Sequence, residues 1–154
     1  QYKVYFHIVG KFTAKREYEA CIPIIKENQL DPYIILHGPL YGEALNSLFE
    51  QCDMGVGSLG RHRSGITNIK TLKNREYAAR GIPFIYSEID EDFEDMPYIL
   101  KIPANEDAVD VQQIINFYNH TNSTPTKIRE SIKHLSWNEQ MNKVIEAISP
   151  MNKI

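Results

Sequence analysis

Lys73 and Glu76 stand three residues apart at the start of a stretch, Leu72 to Arg80, whose spacing predicts a short helix capped by Thr71. At that spacing both side chains project from one helix face, near the end where unpaired N–H groups and the helix dipole favour anions. An ammonium and free N–H groups there can hold a diphosphate. A carboxylate beside them can accept two hydroxyl hydrogens from a ribose, as acidic residues do in dinucleotide sites. The same spacing also describes a plain surface ion pair worth about 0.2 to 0.5 kcal/mol, and spacing alone does not separate the two.

The connection before that helix is the second chemical feature. From Gly57-Ser58-Leu59-Gly60 through Arg61-His62-Arg63 to Lys70 it is far longer than the roughly 2 to 6 residues usual between a strand and a helix, and such length suggests binding. Arg61 and Arg63 are candidate neighbours of a phosphate or sugar, and a solvated loop describes them equally well. The density of acids from Glu88 to Asp95 reads as a solvated acidic loop. The five histidines show no HExxH or paired metal spacing, and none is nominated as a catalytic base. Cys21 and Cys52 fall at apolar helical positions without a CxxC, which predicts buried reduced thiols and a reducing, cytoplasmic setting. A net charge of -3 argues against a general nucleic-acid binder. No apolar run approaches the roughly 18 residues of a membrane span.

The elements that must position these residues follow from periodicity. Short apolar runs at Val4–Val9, Tyr33–Leu36, Met54–Val56, Ile82–Tyr86 and Tyr98–Ile102 read as two-sided parallel strands. Between them, Tyr18, Cys21, Ile22 and Ile25, then Leu45, Leu48, Phe49 and Cys52, have helical spacing, with Pro23 expected to kink or divide the first helix. Asn105 is the expected cap of a later helix carrying Val111, Ile114, Ile115 and Tyr118. Thr124-Pro125 opens another, and Ser136 to Glu139 a last one with Met141, Val144, Ile145 and Ile148 inside. Alternation of strand and helix predicts one α/β domain over residues 1–154. It is a doubly wound, Rossmann-like parallel sheet of about five strands, with helices on both faces and a helical C-terminus. Ligands in such sheets sit beyond the carboxyl ends of the strands.

In that order the residues resemble the C-terminal donor domain of GT-B glycosyltransferases of the family-four, or group 1, type. Phe6 to Gly10 look like its "ivG" strand, Tyr33 to Leu40 like its "V-x-f-x-G-x-v" segment, and Tyr41 to Asp53 like its "eel..ly..aD" helix. Met54 to Ser58 are similar to "v-x-v-x-p-S", Lys73 to Pro83 to "K-x-x-E-x-x-A-x-G-x-P", and Ser136-Trp137 to a recurrent helix start. The resemblance implies a nucleotide-sugar donor (UDP-, GDP- or ADP-linked) and, in the whole enzyme, retaining transfer of its sugar to an acceptor hydroxyl in polysaccharide or glycan assembly. It places Glu76 on the ribose, Lys73 and the backbone of Thr71 and Leu72 by the diphosphate, Leu40 by the nucleobase, and Ser58 at the end of the site strand. It implies no cofactor and no metal, because helix N-termini and basic side chains neutralise the leaving group.

The sequence departs from the family pattern at Asn68, where a second glutamate usually stands eight residues before Glu76. The family's first donor-domain strand and helix, and its acceptor-binding N-terminal domain, would precede Gln1. Without that mid-sheet strand, exposed strand edges are expected to drive self-association or local closing of the sheet. The isolated fragment is expected to be inactive, and peripheral membrane attachment of the whole enzyme is compatible with it. Two other readings stay open. One is a sugar-nucleotide epimerase of related fold. The other is a non-catalytic interaction or signalling domain of receiver type, although Gly10-Lys11-Phe12 offers no carboxylate after the first strand.

Overall fold

A computed structural model describes residues 2–12 and 14–148 as an α/β protein. Its two compact units are Gln1–Gln51 and Cys52–Ile154.

In the first unit, β1 (Phe6–Val9), α1 (Lys15–Glu27) and β2 (Ile34–Gly38) form a βαβ turn, followed by α2 (Gly42–Phe49). β1 and β2 pair in parallel, Phe6 opposite Ile34, with a register shift between Ile8 and Val9. Pro23 lies inside α1 without dividing it. One missing donor leaves the bonds of the flanking turns in place. Among the described residues of this unit only Ile25 and Leu48 are buried, while Phe6, Val9 and Leu36 are exposed. A two-stranded sheet has little interior to offer them.

The second unit holds β3 (Gly55–Val56), α3 (Leu72–Arg80), β4 (Phe84–Tyr86), β5 (Ile99–Lys101), α4 (Val111–His120), α5 (Pro125–Ser131) and α6 (Trp137–Ile148). Its strands pair in parallel in the order β3-β4-β5. The five expected strands are therefore present and parallel. They lie in two sheets of two and three strands, not in one ladder of five. The difference arises between β1 and β3, which share no ladder.

All three residues of β4 are buried. The ring of Phe84 meets those of Tyr77, Tyr86, Phe93 and Tyr98 at centroid distances of 5.4–6.2 Å. Ile69, Ala78 and Ile128 complete this core. Two glycines let α3 approach β3: a Cβ on Gly55 would stand 2.6 Å from the Tyr77 ring, and one on Gly57 2.7 Å from Oδ1 of Asn74. Gly81 ends α3 at a φ of 77°.

Thr124 caps α5 as expected. Asp110, not Asn105, caps α4, accepting the Gln112 N–H. Asn105 instead turns back on its neighbour and accepts the Asp107 N–H at 3.1 Å. Met141, Val144, Ile145 and Ile148 of α6, expected inside, are about half exposed. The two cysteines are half-buried thiols and form no disulfide. Among the described residues, no helix is long and apolar enough to cross a membrane.

Candidate functional site

The site belongs to the second unit and is built where β3 and β4 end. The Ser58 carbonyl accepts from both the N–H and the hydroxyl of Ser87, at 3.0 and 3.2 Å, and so ties the two strand ends together. After Ser58 the chain makes a short 3-10 turn, Arg61–Ser64, closed by Gly65 in the left-handed region. It then returns beside the extension of β4, where the Ile69 N–H donates to the Ile89 carbonyl and the Ile89 N–H to that of Thr67, both at 2.8 Å. The long connection is thus pinned at both ends. Thr71 caps α3 by accepting the Asn74 N–H, which leaves the first N–H groups of the helix without helical partners.

Lys73 stands in that first turn. It is exposed as a residue, yet loss of hydration around its ammonium, and then the positive charge of Arg61, lower its pKa. Lys73 lies at the positive end of α3, and Arg61 lies in the turn that follows β3. Among the described residues, no carboxylate lies within ion-pair distance of either side chain. Cations without a carboxylate partner, near a helix N-terminus, are of the chemistry that binds anions.

The other expected residues are placed differently. Glu76 is half exposed and accepts from Nε and Nη2 of Arg80 at 3.1 and 3.0 Å, one turn along the same helix. Arg63 is engaged elsewhere: its guanidinium donates to both carboxylate oxygens of Glu106. His62 reaches the same carboxylate at 2.9 Å. Arg63 first, and then His62, hold Glu106 down to about 2. Asn68 is exposed, and its amide donates to the Thr67 hydroxyl. Leu72 is exposed, so only its backbone can serve the site. Leu40 follows β2 in the first unit, half-buried.

The acidic run from Glu88 to Asp95 is not the solvated loop its composition suggests. Glu88 and Asp90 are buried, at 2% and 0% exposure, as is Phe93. Oδ2 of Asp90 accepts from the Asn74 amide at 3.0 Å and from Arg75 at 3.2 Å. Arg75 also pairs with Asp92 and stands 5.5 Å from the centre of the Phe93 ring. A buried carboxylate survives because a guanidinium and an amide satisfy it. Glu88 is bound differently: Oε1 accepts the Arg61 N–H at 2.7 Å, and Oε2 has no partner. Sequence reasoning missed Glu88 and the Asn74–Arg75–Asp90 group. The available signal was Phe93 and Ile89 interrupting the acids, together with Arg75 on the facing helix. No group of three or more His, Cys, Asp or Glu among the described residues is arranged to hold a metal ion.

Comparison of the chain with protein-family models, curated proteins and solved structures finds no match. The functional reading therefore stands on these residues and on the motif resemblance. Chemically, the loop and helix that follow β3 carry two cations, Arg61 and Lys73, without a carboxylate partner among the described residues, together with the open N–H end of α3.

Proposed function

We propose that the chain is the nucleotide-sugar-binding part of a GT-B type glycosyltransferase. In this reading the diphosphate of the donor lies at the N-terminus of α3. Lys73, Arg61 and the N–H groups of the first helical turn neutralise the nucleotide diphosphate as it leaves, lowering the barrier where negative charge develops. The sugar would pass to an acceptor hydroxyl supplied outside this chain. The observation that carries the reading is that Arg61, in the loop after β3, and Lys73, in the first turn of α3, have no acidic partner among the described residues.

Glu76 is the member of the set that must change partners. A ribose would take the place of Arg80 on its carboxylate. The finer fold reading belongs to the same proposal: one doubly wound sheet of about five strands. Its support is that every pairing is parallel and that β1 and β3 each pair along one edge only.

Calorimetric titration with uridine, guanosine and adenosine diphosphates tests the reading. One of the three is expected to bind, and Lys73→Ala or Arg61→Ala to weaken it by about tenfold or more, the scale of a charge-assisted hydrogen bond. Glu76→Ala should weaken the nucleotide while leaving inorganic pyrophosphate unaffected, because only the nucleotide carries a ribose. Failure of all three nucleotides to bind a folded chain counts against the proposal.

A further inference from the structure

We propose that His7 and His37 form a binding site for a divalent d-block metal ion, zinc in the first instance, that clips β1 to β2 in the first unit. It uses none of the residues of the diphosphate reading and stands independently of it.

The site follows from the way the two strands pair. Side chains alternate across a strand, so His37 shares a sheet face with Ile35, which stands opposite His7. The register shifts between Ile8 and Val9, and His37 is the residue of β2 left without a counterpart there. The two half-buried rings consequently meet, with Nδ1 of His7 and Nε2 of His37 2.8 Å apart. Their centres are 5.1 Å apart and their planes 15° from parallel. The two ring radii account for the difference between these distances, so the rings meet end to end, the N–H of one facing the lone pair of the other. The backbone is tied on either side of the pair. The Phe6 N–H donates to the Tyr33 carbonyl at 2.7 Å, and the Gly10 N–H to the Gly38 carbonyl at 2.9 Å.

Two imidazole nitrogens held this close are a chelating set for a zinc-type ion. At a tetrahedral ion with bonds of about 2.0–2.1 Å two nitrogens stand about 3.4 Å apart, so the pair opens by about 0.6 Å on binding. Rotation of the side chains supplies that movement while the strands stay in place. Both facing nitrogens must then offer lone pairs. The outer ones, Nε2 of His7 and Nδ1 of His37, have no hydrogen-bond partner among the described residues, and neither is sealed from water. The proton of the facing N–H therefore leaves to water while another is taken up at the outer nitrogen of the same ring, giving the ion two neutral imidazoles. Water completes the coordination, because no group of three His, Cys, Asp or Glu is arranged for a metal among the described residues. A clip of this kind matters most in a unit where only Ile25 and Leu48 are buried.

Titration of the unmodified chain with zinc chloride, followed by nitrogen NMR of the imidazole rings, tests the proposal. One equivalent is expected to shift Nδ1 of His7 and Nε2 of His37 together, before the rings of His62, His120 and His134 respond. This readout needs no variant to fold. His7→Gln and His37→Gln should each lose that binding, and His134→Ala should retain it. Urea unfolding followed by a probe in the first unit should move to higher urea with zinc in the unmodified chain and not in His37→Gln. Zinc that leaves both rings unshifted, that binds first at His62 and Glu106, or that binds folded His37→Gln as tightly as the unmodified chain is adventitious, and any of these results overturns the proposal.

Discussion

The apolar runs of the two units look alike on paper and end in different environments. Phe6 to Val9 and Phe84 to Tyr86 are both short, apolar and flanked by helical patterns. In the structure β1 has one neighbour and two exposed apolar residues, whereas β4 lies between two strands with every residue buried. Local pattern reports that a strand will form. The number of neighbours and the rings that cover it decide how much that strand stabilises. The chemistry follows the same division. Arg61, Lys73 and the buried acids sit on the three-stranded unit, where central β4 runs on into Ser87 and Glu88.

That contrast can be broken most sharply at its centres. Phe84→Ala removes a ring buried among four others and is expected to destabilise its unit by about 3–5 kcal/mol. Ile8→Ala, at a half-buried position of β1, should do so by about 1 kcal/mol or less. Urea unfolding followed separately by a probe in each unit measures both, and equal effects would erase the distinction. Next in size is Gly55→Ala. Its added methyl would overlap the Tyr77 ring and should reduce stability by about 1–3 kcal/mol, seen as a lower midpoint in the same experiment.

The smallest effect concerns the loop. Glu106 is exposed, and its bonds to Arg63 and then His62 lower its pKa from 4.5 to about 2. A carboxyl lowered on folding contributes stability above its unfolded pKa and loses it as pH falls through the folded one. The contribution is therefore present at neutral pH and disappears between about pH 4.5 and 2. Glu106→Gln should flatten the stability profile over that window and remove its salt dependence, as thermal unfolding across pH would record.

Legibility in the sequence followed the same physics. α3 was readable to the residue because its signals are local: Thr71 to cap it and Gly81 to stop it. α4 was readable in its apolar stripe but not in its start, which was expected at Glu106 and lies at Val111. Asn105, Asp107 and Asp110 are all good N-caps within six positions, and the one chosen is the one adjoining the apolar stripe at Val111. The parallel strands were legible, whereas their division into two ladders was not, since pairing across distant segments leaves no local trace. In the candidate site, Lys73 was nominated from its spacing to Glu76 at a helix start, and Arg61 from charge and loop length. Glu88 was hidden because a dense acidic run reads as solvent-facing, and only the fold reveals that an arginine and a backbone amide wait for two of its members. The plain alternative expected for Glu76 was an ion pair with Lys73 at i, i+3; the pair that forms is with Arg80 at i, i+4.

The close seat of α3 on β3 has a mechanical result. With hydrogen atoms alone at Gly55 and Gly57 separating strand from helix, and with the Tyr77 hydroxyl donating to the Val56 carbonyl at 3.1 Å, the helix cannot slide or tilt without colliding with the sheet. In the proposed reading, an anion at Lys73 would meet a helix end already set in position, so little ordering would oppose its capture on the protein side.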